Sequence, residues 1–239
     1  MTSAGVRELT QDDLDWVLDL GARRRARLAP YAPRFWNPAP NAREMHTNFL
    51  GNKINDPAVI SIRTDHGFLF GDPGTDRYDV DDLALDDEAR WPTDGLDLLR
   101  AAGAQGSLNF GCPVPETERR RAAETLGLRC AESWWHKDLS PEAGGTPPED
   151  RKINVEGASG MLLPAPPVYA PGGPVLLTGD VADATSLAAI ETAAAAAGAP
   201  VAVVIQRADD AARAELLTSS GYLRTNDNYR GRLGEGDSH

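Results

Sequence analysis

Two stretches of this chain repeat each other, and that repeat limits the folds that the chain can adopt. Three pairs of matching positions carry it: Gly67 and Gly160, Leu83 and Leu177, and Gly127 and Gly221. The first pair is 93 residues apart and the other two pairs are 94 residues apart. An offset that changes by a single residue over this span indicates a duplicated unit with about one insertion or deletion. The chain therefore has to fold as two related units.

Apolar periodicity and turn residues predict a similar order of elements in the two units. In the first unit we predict helices over 12–28 and 42–50, strands over 58–63, 67–70 and 77–85, a helix over 95–102, a strand over 107–112, a helix over 117–126 and a strand over 129–139. In the second we predict strands over 160–163 and 174–178, a helix over 182–197, a strand over 200–206, a helix over 209–219 and a strand over 222–230. The second unit lacks counterparts of the two leading helices.

The boundary between the units is predicted from composition. Residues 140–150 contain three prolines, two glycines and three acidic residues, and they offer little apolar surface to bury. All five Trp and all five Phe precede this segment. We therefore expect a domain over 1–140, a linker over 141–152 and a shortened domain over 153–239.

The charge of the chain limits its partners. With 24 Lys and Arg against 36 Asp and Glu, the formal net charge is -12. Non-specific binding to nucleic acid or to an anionic membrane needs positive charge at the contact, so we expect neither partner. No apolar run reaches the ~18 residues of a membrane span, and two cysteines are too few for a disulfide framework. We expect a cytoplasmic protein that acts on a small-molecule substrate.

The predicted order of elements resembles the GCN5-related N-acetyltransferase (GNAT) superfamily. Val6–Leu14 reads Val-Arg-Glu-Leu-Thr-Gln-Asp-Asp-Leu, which is similar to the first strand and helix start of that family. Leu126-Gly127-Leu128 and Ser220-Gly221-Tyr222 resemble its joint between helix and strand. The resemblance implies an α/β fold with a mixed sheet of the α+β kind, in tandem, with a full N-terminal copy and a shortened C-terminal copy. It also implies an acyltransferase that uses acetyl-CoA or another acyl-CoA and needs no metal. The second copy would be a structural partner, which would leave the chain monomeric.

In this family, a glycine-containing loop after the fourth strand holds the pyrophosphate of coenzyme A at the start of a helix. The matching positions here are Arg90, Thr93 and Gly95, although Thr93 stands where the family has a glycine. Pro92 lacks an N–H group, so an ordinary helix start is the alternative. A bulge in the fourth strand would direct backbone groups of Leu83 and Leu85 at the acyl carbonyl.

The fourth predicted strand carries aspartates that the chemistry could use. Asp81 is a candidate for binding the substrate, and Asp82 for accepting a proton from an ammonium substrate or orienting it. Solvated residues that protect a sheet edge are the alternative. Many members of the family have a tyrosine general acid four residues before the joint glycine. Ala123 and Leu217 occupy these positions, and neither can donate a proton.

Aromatic and polar residues cluster in two further places. On the last strand of the first copy, alternation puts Trp134 and His136 on one face, where His136 could act as a base and Trp134 as a wall of the acceptor pocket. After the first helix, Arg34 could bind a carboxylate and Trp36 could form a second wall. The alternatives are a tryptophan that packs on the sheet, a core histidine and a loop that only covers the core.

The remaining polar residues suggest no further site. His46 and His66 have no partners at the spacing of metal ligands. The runs Arg23–Arg25 and Arg119–Arg121 are typical of solvated helix faces. Three functions remain open: an acyltransferase, an enzyme of this fold that has lost acyl-CoA, and a non-catalytic protein that binds a ligand.

Overall fold

The computed structural model describes residues 5–80 and 82–233 and divides the chain into two compact units. Unit 1 is formed by Met1–Arg27, Arg43–Ala131 and Asp227–His239, and unit 2 by Leu28–Ala42 and Glu132–Asn226, so far as these ranges are described. Each unit thus takes residues from both halves of the sequence. These boundaries differ from the predicted domains over 1–140 and 153–239.

In chain order up to the predicted linker, the elements are β1 (Arg7–Glu8), α1 (Leu14–Leu28), α2 (Ala42–Ile54), β2 (Ile60–Arg63), β3 (Gly67–Pro73), β4 (Arg77–Val80), β5 (Leu83–Leu85), α3 (Leu96–Gly103), β6 (Ser107–Pro113), α4 (Thr117–Thr125) and β7 (Arg129–Asp138).

A 3-10 turn precedes α1, where the backbone N–H of Thr10 donates to the Asp13 carboxylate at 3.0 Å. That carboxylate also accepts from Arg7 and Arg63. Burial would raise the pKa of Asp13, but these hydrogen bonds lower it well below the usual range.

After the predicted linker come β8 (Lys152–Val155), β9 (Ala158–Leu163), β10 (Val175–Val181), α5 (Ala184–Ala196), β11 (Val201–Arg207), α6 (Ala211–Ser219) and β12 (Leu223–Gly231). The strand order is β1-β2-β3-β4-β6-β12 in unit 1 and β12-β7-β11-β10-β9-β8 in unit 2. Both β7 and β12 have residues in each unit. The mixed α/β architecture that we predicted is therefore confirmed.

The repeat is visible in the positions of the elements. Strands β6 and β11, helices α4 and α6, and strands β7 and β12 begin 94 residues apart. Gly127 and Gly221 follow the two matching helices, and both adopt the left-handed conformation, with φ angles of 79° and 84°. A side chain is strained there, so glycine is the residue that ends each helix most easily.

Two predictions about the sequence between the copies were incomplete. Strand β8 was not predicted. The segment predicted as a linker is attached to unit 2 by backbone hydrogen bonds. Leu139 N donates to Pro200 O at 2.8 Å, and Glu142 N donates to Ala195 O at 2.9 Å. Gly145 lies so close to helix α5 that a Cβ atom there would be 2.5 Å from Ala196 O. The segment is polar in composition, but it packs within unit 2 through its backbone.

Candidate functional site

The predicted fourth strand of the first copy is broken at the aspartates. Strand β4 pairs with β6 in parallel, from Arg77 beside Ser107 to Val80 beside Phe110, whereas β5 pairs with β3. Val80 and Leu83 belong to the same core cluster. Residues three apart cannot share a face of a regular strand, so the alternation changes phase between them. An irregularity of this kind was expected at this point of the fold.

The break leaves a gap between β5 and β6. Phe70 N donates to Asp82 O at 2.8 Å, and Asp86 N donates to His66 O at 2.9 Å. Alternate residues of an antiparallel strand present their backbone groups to the partner strand. The backbone groups of Leu83 and Leu85 therefore point away from β3 and toward the gap. This is the side on which the resemblance to the GNAT superfamily predicts an acyl carbonyl.

Asp82 lies at the break and contacts His46 of helix α2. Oδ1 of Asp82 is 3.6 Å from Nε2 of His46, and Arg25 Nη1 is 2.8 Å from Nδ1 of the same ring. Arginine can only donate, so Nδ1 accepts and Nε2 carries the proton that points at Asp82. This tautomer follows from the hydrogen-bond network. His46 is thereby fixed as a donor to Asp82 and is not an available base.

Lys53, also on α2, lies 3.9 Å from Oδ2 of Asp82 and forms an ion pair with Asp72. Burial would raise the pKa of Asp82, but the hydrogen bond from His46 and the charge of Lys53 lower it below the usual value. The carboxylate is therefore ionised, and its side chain is 25% exposed. A carboxylate of low pKa is a poor proton acceptor but a good anchor for a cation.

Sequence reasoning missed His46 and Lys53. Together with Phe49 they follow the spacing i, i+3, i+7 on one face of helix α2. The ring of Phe49 stacks on His46 with centroids 6.3 Å apart, and Lys53 Nζ lies 4.3 Å above the Phe49 centroid. Phe49 is 50% exposed. An aromatic and basic face of this kind was the signal available in the sequence.

The loop that was expected to hold pyrophosphate is helical throughout. A 3-10 turn ends at Arg90, and a wide helical turn over Trp91–Gly95 leads into α3. Trp91 is buried and packs on Gly95, where a Cβ atom would be 2.3 Å from the indole ring. Arg90 and Thr93 are exposed, and the Thr93 hydroxyl bonds to the adjacent Asp94 at 3.0 Å. Gly95 therefore serves to pack Trp91.

Arg119 is not on a solvated helix face, and that prediction was wrong for this residue. It is 1% exposed, because it lies one helical turn before Ala122 and Ala123 on the buried side of α4. Its Nε donates to Gly111 O at 2.7 Å and its Nη1 to Leu83 O at 2.8 Å. The guanidinium thus lies in the gap between β5 and β6.

A buried carboxylate, Glu116, offsets part of the positive charge around Arg119. Arg24 Nη2 donates to it at 2.7 Å and Arg27 Nη2 at 2.8 Å, while Arg119 Nε lies 3.7 Å away. Burial would raise the pKa of Glu116, but these arginines lower it to about 2. Arg24 was predicted on a solvated face, but it is turned toward this carboxylate and its side chain is 17% exposed.

The gap presents the Leu83 carbonyl to an incoming group, but a side chain of the protein already occupies it. The Leu83 carbonyl accepts a hydrogen bond from an N–H donor inside the gap, which a donor amide could equally provide. The Arg119 guanidinium is the stand-in for such a donor. The backbone of β5 therefore offers a carbonyl to which an acyl-CoA arm could bond, and such an arm would compete with Arg119 for it.

His136 lies in unit 2, whereas Asp82 lies in unit 1. Its ring is 6% exposed and stacks on Phe35, with centroids 4.3 Å apart. The Thr225 hydroxyl donates to Trp134 O at 3.2 Å and lies 2.8 Å from Nδ1 of His136. Nε2 has no partner among the described residues. Burial lowers the pKa of His136 to about 3, so the ring is neutral.

The remaining predicted substrate residues are also in unit 2. Trp134 packs with Phe35 and Val203 on the face that alternation predicted. Trp36 is buried and approaches His136 edge-on at 6.1 Å. Arg34 lies 3.9 Å from Asp138 in an exposed ion pair. These residues have the surroundings of packed or solvated side chains, and their role in binding stays a prediction.

The remaining predictions concern Asp81, the positions of the family's tyrosine, metal binding and transmembrane segments. Asp81 lies outside the described residues. Ala123 and Leu217 are buried apolar residues at the positions of the family's tyrosine. Within residues 5–80 and 82–233, no group of three or more His, Cys, Asp or Glu residues is arranged to hold a metal ion. In the same ranges, every helix is too short or too polar for a transmembrane segment.

Comparison with known proteins identifies the fold. No protein-family model and no curated protein matches the sequence. Solved structures do match. A protein from Thermoplasma acidophilum, described as a candidate acetyltransferase, superimposes with a TM-score of 0.60 at 12% identity, over 95% of this chain and 99% of its own. A GCN5-related N-acetyltransferase from Sphaerobacter thermophilus gives 0.58 at 9% identity, over 98% and 97%.

A candidate acetyltransferase from Pyrococcus horikoshii gives a TM-score of 0.54 at 10% identity, over 100% of this chain and 93% of its own. Identities this low establish the fold and leave the substrate open. The three matches extend over almost the whole chain, so the likeness is not confined to one copy of the repeat. The chain has the fold of the GCN5-related N-acetyltransferases.

Proposed function

We propose that the N-terminal copy transfers an acyl group from an acyl-CoA to the amine of a small molecule. The observation that carries the proposal is the strand break at Asp82, which turns the backbone of Leu83 and Leu85 toward the gap. The bound acyl-CoA would supply an activated thioester carbonyl. Backbone N–H groups of Leu83 and Leu85 would bind that carbonyl oxygen. Arg90 and Thr93, exposed at the start of the next helix, would contact the phosphates.

Asp82 would hold the amine. Its carboxylate is ionised, partly exposed and fixed by His46, so it can accept a hydrogen bond from an ammonium group. Its lowered pKa makes it an anchor for the substrate, and deprotonation of the amine is left to water. The helix face of His46, Phe49 and Lys53 adds an exposed aromatic ring beside it. The second copy would serve as a structural partner.

A second function has one observation in its favour. Arg119 occupies the edge of β5. In a protein that has lost acyl-CoA binding, this side chain would stay at that edge at all times. In that case unit 1 would bind a small cationic ligand at Asp82 without acyl transfer. Binding of acetyl-CoA separates the two functions.

Replacing Asp82 with asparagine will reduce acylation of an amine by roughly 100-fold, because the amine loses its charged anchor and its orientation. The measurement is release of free thiol from millimolar acetyl-CoA with a panel of primary amines. Asp76→Asn is the matched control, since Asp76 is an exposed aspartate of unit 1 whose side chain is 77% accessible. Equal rates for the two variants would remove Asp82 from the site.

A further inference from the structure

Arg119 contacts both of the strands that border the gap. Its guanidinium hydrogen-bonds to one backbone carbonyl on each side, Leu83 O in β5 and Gly111 O in β6. It lies 4.4 Å from the ring of Phe110 and 5.3 Å from that of Trp91. The side chain therefore bridges the two strands where they diverge.

The position coincides with the path of the proposed acyl donor. A donor whose carbonyl is held by Leu83 and Leu85 and whose phosphates are held by Arg90 and Thr93 has to follow the free edge of β5. The Arg119 guanidinium occupies that edge at Leu83 O. The guanidinium and an N–H group of the donor cannot both bind Leu83 O in the same space. The Arg119 side chain and the donor therefore exclude each other.

Arg119 is an imperfect occupant of the gap. Its Nη2 is buried and has no hydrogen-bond partner among the described residues. Burial and the nearby charge of Arg24 lower its pKa from the ordinary value to about 10. A buried charged group with an unsatisfied nitrogen costs free energy, and part of that cost is recovered when the group moves to water. The closed arrangement is thus stable but not optimal.

The second copy has a matching arginine in a different setting. Arg213 follows Arg119 by 94 residues, and its Nη2 donates to Gly179 O of strand β10 at 2.8 Å. This arginine is half-buried, and its hydrogen bond is exposed. The two copies therefore share the contact between helix and strand, but only Arg119 is enclosed.

We propose that Arg119 is an internal gate, which must leave the carbonyls of Leu83 and Gly111 before an acyl donor can enter unit 1. The inference rests on the proposed function, because it assigns the donor to this gap. Glu116 lies 3.7 Å from Arg119 Nε and remains a partner for the displaced guanidinium. The apparent affinity for the donor is then reduced by the fraction of molecules in which the gate is closed.

The test is calorimetric titration of the full chain with acetyl-CoA. Arg119→Ala removes the guanidinium from the gap. We expect the dissociation constant of acetyl-CoA for this variant to be about tenfold or more below that for the unaltered protein. Arg119→Gln, which is neutral and shorter, should show a smaller gain in the same direction and serves if the alanine variant does not fold. Arg213→Ala and Arg121→Ala are matched controls. Arg121 is an exposed arginine of the same helix, paired with Glu118.

The outcomes separate the gate from the proposed function. Equal affinity of folded Arg119 variants and the unaltered protein would overturn the gate but leave the function intact. Weaker binding by the variants would also overturn it and would make Arg119 a contact of the donor. No binding by any folded variant would overturn the function itself, and the gate with it.

Discussion

Replacing Glu116 with glutamine will lower the free energy of unfolding by about 3 kcal/mol, because a buried cluster loses its negative charge. Glu116 is 3% exposed and faces Arg24, Arg27 and Arg119. The amide can still accept hydrogen bonds, but it leaves Arg119 buried without a counter-charge. Denaturant unfolding at neutral pH measures the change. Glu118→Gln, which alters a half-buried glutamate on the surface of helix α4, should change stability by less than about 1 kcal/mol.

The same carboxylate makes stability depend on pH in acid. Its pKa is about 2 in the folded chain and 4.5 in the ordinary state. A lowered pKa means that its contribution is complete above the ordinary value and is lost as the pH falls from there toward 2. The unaltered protein should lose that contribution in this range, and Glu116→Gln should not. Parallel pH profiles for the two proteins would contradict the buried ion cluster.

His136 is a second group through which acidification will destabilise the protein. Its pKa is about 3 when folded and 6.5 in the ordinary state, since burial opposes the charged ring. The unfolded chain therefore binds a proton that the folded chain excludes. Above the ordinary pKa of the ring, this group costs no stability. Below it, the free energy of unfolding falls as the pH drops toward 3, by about 3 kcal/mol at about pH 4.

Substitution of His136 by phenylalanine should remove this loss, since the ring already stacks on Phe35 and meets Trp36 edge-on. Thermal unfolding from neutral pH to about pH 4 is the measurement. His66→Phe is the control, because His66 is a partly exposed histidine paired with Asp86. If the His136 variant follows the same pH profile as the unaltered protein, the ring is not held neutral in the core.

The order of elements could be predicted from the sequence because it depends on local signals. Helix α1 ends before Pro30, and helices α4 and α6 end shortly before Gly127 and Gly221, as their spacing indicated. The break in the fourth strand could not be located in the same way. A bulge is a feature of backbone pairing, and three aspartates in four residues do not say where the pairing changes.

The surroundings of the site residues depend on contacts between distant segments, and these were not predictable. Asp82 was identified as a candidate, but its partner His46 lies 36 residues away on helix α2. Arg119 was predicted to be solvated with its two neighbours, although its spacing from Ala122 and Ala123 places it on the buried face. In both cases the sequence contained a helical periodicity, but the partner across the fold determined what the residue does.

The central claim is that the acyl donor binds in unit 1, in the gap between β5 and β6. Hydrogen–deuterium exchange of the Arg119→Ala variant, with and without saturating acetyl-CoA, tests it most directly. The account predicts slower exchange over residues 83–95 and no change over residues 177–186, which run from strand β10 into helix α5 of the second copy. Protection over 177–186 instead, or protection in neither segment although the ligand binds, would contradict it.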